Sequence, residues 1–351
     1  MEFYEVSSQR SGVQTILQAI KDYGPISKRE LQDITGLCWG HVSQVTKRFL
    51  EQGYIVVEEK QMTAGRTRDL VDINKNDNYF IGIDLNSERI RVVVADMKGR
   101  SIASVREAWT EKEKDKVLEV IYHVLDKFVS QYADKNILGI GFAVQGIVDV
   151  SQGVSVLISQ IKNWENVPLK ALIEERYGVD VVLAHDPDCL MKCESQFGVL
   201  KNSDTKDVLL IHYNYGLGIG MSIMINGHIY LGHQGRAGEL DHTILNVRED
   251  NWHDMLGQYS NKKDTDIDMQ ILGNHLGRAI AIANSLFNPE IIVLHMAEAD
   301  YQQVILESVD KYLRYYSANK EVVLRSSKLG REAKALGAAL ILIDREINRV
   351  M

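Results

Sequence analysis

Cysteine is scarce in this chain: Cys38, Cys189 and Cys193 are the three in 351 residues. None stands in a CxxC pair, which argues against a disulfide framework or a thiolate zinc site and for a reducing, cytoplasmic setting. Proline numbers four, and no low-complexity tract interrupts the sequence. No apolar run approaches the ~20 residues a membrane helix needs. The opening MEFYEVSSQRSG has neither a basic start nor an apolar centre, so it does not read as a signal peptide. What remains is an ordinary globular composition, 45% hydrophobic and 25% charged, with chain enough for two or three domains. The net charge is −8, and the first 75 residues contribute none of it, with ten Lys+Arg against ten Asp+Glu.

The most informative stretch is Gly24 to Ile73. Ser27 with Glu30 three residues on is a capping box that starts a short helix at Lys28, and Gly36 suits its left-handed end. A second helix follows, with Val42, Val45, Phe49 and Leu50 on one buried face. Its other face carries Trp39, His41, Ser43, Gln44, Lys47 and Arg48, side chains that can meet base edges or phosphates. An earlier helix, Val13 to Asp22, completes a three-helix core through Ile16, Leu17 and Ile20. Two β-like runs, Tyr54 to Glu59 and Asp69 to Ile73, flank a loop holding Gly65, Arg66 and Arg68. Together these read as a winged helix-turn-helix that binds double-stranded DNA, the arginines serving phosphate or minor-groove contact. A small three-helix domain with a polar face is the plainer alternative. Because the segment is neutral overall, its basic residues must be segregated on one face and non-specific affinity should be modest.

Beyond a polar linker near residues 74–78 the pattern turns α/β. Tyr79 to Leu85, Ile90 to Asp96 and Ser101 to Ala108 read as a three-strand meander, followed by a helix from about Asp115 to Tyr132 and a strand from Ile137 to Val144. A helix near Pro168 to Tyr177 leads to strand Val181 to Ala184. His185-Asp186-Pro187-Asp188 then sits at that strand's C-terminal end, where α/β folds place ligands. A helix follows from about Cys189 to Phe197. Val208 to Tyr213, a Gly-rich turn and a hairpin closed by Asn226-Gly227 repeat the strand–turn–strand theme, which suggests two related lobes with a cleft between them.

In this order, Gly-Pro-Ile-Ser with Thr-Gly-Leu, Gly82-Ile83-Asp84, Gly139-Ile140-Gly141 with Gly146 to Asp149, Asn163-Trp164, Asp186, Gly216 to Gly220, Asn226-Gly227, Gly235 to His242 and Leu336 to Ala339 resemble the ROK (repressor, open reading frame, kinase) family over most of the chain. The resemblance implies an actin-like, sugar-kinase-type fold of two lobes, with the C-terminal helix packed back on the first. The expected division is a reader at residues 1–75, a first lobe at 76–190 completed by 331–351, and a second lobe at 191–330.

The family holds kinases and repressors, so the site must decide. Where its kinases carry a small phosphate-cradling turn this chain has Asn86, Ser87 and Glu88, and a carboxylate there opposes triphosphate by roughly 4 kcal/mol at ~4 Å and a dielectric of ~20. Leu217 replaces a threonine of the second turn, and His295-Met296 stand where two glycines admit nucleotide. The glycines of 216–220 then read as a tight turn kept for packing. The family's sugar contacts map onto Gln160, His185, Asp186, Glu239 and His242; a structural salt bridge between Glu239 and His242 is the plainer alternative. The segment Thr243 to Gly257 is short and lacks the cysteines of the family's zinc loop, so no metal and no cofactor is expected. The expectation is a DNA-binding transcriptional regulator, a repressor and not an enzyme, that responds to a sugar or sugar derivative and acts as a homodimer or higher oligomer on an operator. A sugar kinase with an appended reader is the alternative.

Overall fold

The computed structural model describes residues 11–63, 66–201, 203–214, 218–240, 243, 266–296 and 302–350, and the side chains of these apart from 59–68 and 266–267. The N-terminal helices are α1 (Gly12–Tyr23), α2 (Lys28–Thr35) and α3 (Trp39–Glu51). Both capping groups of α2 are made: Glu30 N–H donates to Ser27 Oγ at 3.3 Å, and Ser27 N–H to Glu30 Oε2 at 2.9 Å. Gly36 ends the helix at φ 68°. A second capping box, Ser11 with Gln14, starts α1 and follows the same S-x-x-Q spacing.

A short strand β1 (Ile26–Ser27) and the hairpin β2 (Ile55–Thr63) and β3 (Arg66–Ile73) form a three-stranded sheet in the order β1-β3-β2. The hairpin is longer than the sequence suggests. Thr63 pairs with Arg66 and Gln61 with Arg68, so both arginines belong to β3 and not to a loop. The polar run from Lys60 to Thr67 hides this because backbone pairing, not alternation of apolar residues, carries the ladder.

Two five-stranded sheets follow. The first has the order β11-β7-β4-β5-β6, from β4 (Asn78–Leu85), β5 (Arg89–Asp96), β6 (Ser101–Ala108), β7 (Asn136–Val144) and β11 (Asp180–His185). The second has the order β14-β13-β12-β15-β16, from β12 (Val208–Asn214), β13 (Gly218–Ile225), β14 (His228–Ile229), β15 (Ile291–Met296) and β16 (Val323–Ser326). Each is an antiparallel meander of three strands extended by two parallel strands. The suspected internal repeat is thus a repeat of topology. Asn226 and Gly227, both at positive φ, close the hairpin. A third small sheet, β8 (Ile147–Asp149), β9 (Val154–Leu157) and β10 (Glu165–Val167), was not legible in sequence because its strands are only three or four residues long.

Helices α4 (Lys114–Gln131) and α5 (Leu169–Tyr177) cover one face of the first sheet, in a core that includes Phe142 and the fully buried Trp164. Helices α7 (Asp266–Phe287) and α8 (Gln302–Tyr316) cover the second sheet. Helix α6 (Asp186–Phe197) starts three residues earlier than expected, at Asp186 itself. Pro187 fits the first turn, where no N–H is missed, and Asp186 and Asp188 lie at the positive end of the helix dipole.

Helix α9 (Ala333–Arg349) packs on the first sheet as the resemblance implies. Ala333, Ala335, Ala338 and Ala339 let it approach closely, and a Cβ at Gly82 would stand 1.9 Å from the Ala335 carbonyl oxygen. One continuous hydrophobic cluster joins Ile16, Leu17 and Phe49 of the N-terminal helices to Phe80, Met97, Leu340, Ile343 and Ile347. The winged helix is therefore set into the same core as the first sheet.

Candidate functional site

Helix α3 presents Gln44, Lys47 and Trp39 to solvent, the last 52% exposed, with Ser43 half-buried beside them. The other two polar residues expected on that face point elsewhere. The His41 ring packs against α1, where a Cβ on Gly12 would meet its Nε2 at 2.7 Å. Arg48 folds over the Phe49 ring at 5.7 Å, with Nε and Nη2 buried and unpartnered. A residue at the flank of a 3.6-residue period can face either way, and packing decided these two. Arg66 and Arg68 stand at the tip end of the hairpin by backbone placement; Gly65 lies outside the described residues.

The second site is a cavity of about 280 Å³ between the end of β11 and the β12–β13 hairpin. Gln160, His185, Asp186 and Glu239 line it together, with Gln145, Ser159, His212 and Asn214. Four of the five expected effector residues are thus brought together from segments up to 79 positions apart; His242 lies outside the described residues, as do Leu217 and 244–257. His185 Nε2 stands 3.8 Å from Asp186 Oδ1 and 4.0 Å from Glu239 Oε1.

Behind the cavity lies a charge cluster that sequence reading missed. Lys334 Nζ, at the start of α9, stands 3.1 Å from Asp186 Oδ2 and 3.2 Å from Asp84 Oδ1. The available signal was a lone lysine among small buried helix residues, where an unpaired ammonium would be costly. Burial pushes Asp186 up, but Lys334, with His212 and His185, outweighs it and the carboxyl sits below the ordinary carboxylate range. Asp84 is raised, burial and the nearby Asp186 outweighing Lys334. Asp188 is pushed by burial to about 6, and Ser222 Oγ donates to it at 2.6 Å.

His212 and His295, opposite each other on β12 and β15, share a hydrogen bond of 3.0 Å between their Nδ1 atoms. Burial and then Lys334 push both rings down, His295 to about 4 and His212 well below its ordinary value. Both rings are neutral at neutral pH, so Lys334 is the cation that counts beside Asp186. Because the folded state disfavours the protonated His295 ring, its stabilising contribution is full above pH 6.5 and is lost as pH falls toward 4. Between pH 7 and pH 5 that loss is on the order of 2 kcal/mol. Asp84 and Asp188, with raised pKa values, act in the opposite sense. A comparison with His295→Asn cancels them: urea melts should show the wild type losing more stability on acidification than the variant, and equal losses would contradict the assignment.

The carboxylate expected to oppose triphosphate is less forbidding than its sequence position implies. Glu88 is paired with Arg89 at 2.6 Å, and its side chain is 44% exposed. The local pair and solvent screening reduce the repulsion. Asn86 accepts hydrogen bonds from the Glu88 and Arg89 amides, so the turn is closed by its own side chain. His295 does fill the end of β15, where it is buried against His212. Among the described residues no group of three or more His, Cys, Asp or Glu is placed to hold a metal ion, and no helix is long and apolar enough to cross a membrane.

The ROK family profile matches residues 80–258 and 257–345. The xylose repressor of Bacillus subtilis is 24% identical over 376 residues, covering 95% of each chain. The Escherichia coli DNA-binding transcriptional dual regulator NagC is 23% identical over 387 residues, covering 96% of this chain and 93% of its own. A crystal structure of a ROK family transcriptional regulator, a homologue of the E. coli MLC protein, superposes with a TM-score of 0.78 at 19% identity over 96% of both chains. A ROK family glucokinase from Streptomyces griseus, solved with glucose and AMPPNP, reaches a TM-score of 0.63 over 98% of its own length but 74% of this chain.

Proposed function

Since the chain belongs to the ROK family, we propose that it is a sugar-responsive, DNA-binding transcriptional repressor whose kinase-type cavity serves recognition and not phosphoryl transfer. The observation that carries this is the winged helix set into the core of the same fold that holds the cavity. The repressor relatives run the length of this chain, whereas the glucokinase leaves about a quarter of it without a counterpart.

The cavity suits a monosaccharide. Its volume of about 280 Å³ lies just under the usual range of ligand pockets, roughly 300–1,000 Å³. Carboxylates, imidazoles and amides can pair with adjacent hydroxyls. Among the described lining residues Asp186 and Glu239 are acidic and none is Lys or Arg, so an uncharged sugar fits better than a sugar phosphate. Asp186, held ionised by Lys334, is a weak proton acceptor, which makes it a good hydroxyl acceptor and a poor general base. D-Xylose and N-acetylglucosamine are the first probes, because a xylose repressor and an N-acetylglucosamine repressor are among the relatives of this chain.

Thermal-shift screening of these sugars and their phosphates tests the reading. A sugar at about 100 times its Kd should stabilise the protein by roughly 2.7 kcal/mol, and Asp186→Ala should abolish the shift. Release of ADP from ATP in the presence of a sugar, abolished by Asp186→Asn, would instead establish the kinase.

The reader is tested on DNA fragments selected by the protein itself. Gln44→Ala should lose about 1–3 kcal/mol of discrimination at particular base pairs. Lys47→Ala should weaken all sequences alike and lower the salt dependence by about one counterion. We further propose that two copies act together, because one winged helix reads few base pairs and a second half-site raises specificity.

A further inference from the structure

Helices α6 and α9 both begin at the cavity and both end at the winged helix. At the cavity end, Asp186 opens α6 and Lys334 lies in the first turn of α9, joined at 3.1 Å. Farther along, Lys192 at the middle of α6 pairs with Asp344 in the second half of α9, and Lys21 of α1 stands 3.5 Å from the same carboxylate. Lys21 is fully buried and also donates to Gln196 Oε1 of α6 at 3.4 Å. Between the two ends the helices touch through backbone: a Cβ added to Gly337 would lie 1.9 Å from the Cys189 carbonyl oxygen. Ten residues of helix separate Lys334 from Asp344, about 15 Å.

We propose that α6 and α9 form a two-helix strut that reports occupancy of the cavity to the DNA reader, with Lys334 as its release catch. This rests on the effector reading of the cavity given above. A sugar hydroxyl that donates to Asp186 competes with Lys334 for that carboxylate, and the ammonium keeps Asp84 of β4 as its remaining partner. The first turn of α6 is then no longer tied to the first turn of α9. Helices that touch through backbone have little slack to absorb a relative shift, so it reaches the carboxylate that Lys192 and Lys21 share. Ligand and reader state are coupled because the two states differ in what Asp186 bonds. Lys334 is a positioning residue here: it acts on the ligand through Asp186.

Hydrogen exchange of the full chain without ligand tests the strut directly. Lys334→Met should speed exchange at least about threefold in α1 and in the second half of α9, with β12 and β15 unchanged. Lys334→Arg, which keeps the charge, should restore protection. Should Lys334→Met fail to fold, Lys192→Met, whose side chain is 23% exposed, gives the reverse test: exchange should rise in the first turns of α6 and α9. Changes confined to the neighbourhood of either substitution would overturn the strut. D-Xylose and N-acetylglucosamine form a separate arm. A sugar that raises the melting temperature should alter α1 exchange in the wild type and not in Lys334→Met. If neither sugar shifts the melt, the effector reading loses its support for these sugars, while the ligand-free arms still judge the strut.

Discussion

Gly82→Ala should destabilise the protein by about 3 kcal/mol and lower its recoverable yield. The new methyl would stand 1.9 Å from the Ala335 carbonyl oxygen and 2.8 Å from its carbon, with Ala339 Cβ at 3.1 Å. The obstacle is helix backbone, which cannot rotate away as a side chain can, so the sheet and α9 must part. That gap would open along a face that buries Ala338, Ala339 and Ile343. Gly40→Ala is the matched control. Gly40 lies inside α3 with nothing within 4 Å of the added Cβ, and alanine there should stabilise by about 0.5–1 kcal/mol. Denaturant midpoints at constant m-value read both; equal midpoints for Gly82→Ala and wild type would mean that α9 does not rest on β4 as described.

Asp72→Ala should cost about 3–5 kcal/mol, the usual penalty for removing one partner of a buried ion pair. Asp72, in β3, is fully buried and meets Lys98 at 2.5 Å and Lys75 at 2.9 Å. It also accepts the Ile73 amide at 2.8 Å. Lys98 sits in the turn between β5 and β6 with its side chain 6% exposed, and also donates to the Gly24 carbonyl at 2.7 Å. Without Asp72 that ammonium is left in the seam between the wing and the first sheet. The loss should therefore concentrate there, with early hydrogen exchange in β3 and α1. Asp72→Leu combined with Lys98→Met should recover much of the stability, since neither charge is then stranded. A double variant as unstable as the sum of the single ones would show the pair to be uncoupled.

Both seams bear on function as well as stability. The winged helix is held to the first sheet by the Lys98–Asp72 pair on one side and by α9 on the other, where Tyr54 Oη donates to Glu346 Oε1 at 3.3 Å. A reader so held turns with the body, so a shift in the body moves the reader with it.

The sequence by itself determined several features that rest on near neighbours. The Ser27–Glu30 box, the left-handed Gly36, the apolar face of α3 and the Asn226-Gly227 turn need only residues a few positions apart, and each formed as its local chemistry dictates. The order of motif blocks likewise carried the family and the two related sheets. Tertiary structure alone decided which way the flanking residues of a helix point, so that His41 and Arg48 pack inward while Gln44 and Lys47 stay out. It alone joined Lys334 to Asp84, across 250 positions, and to Asp186 across 148, and set the reader into the body's core. The physical reason is range: caps and turns are settled by bonds between neighbours, whereas the partner of a buried charge is whatever the folded chain places within a few ångströms of it.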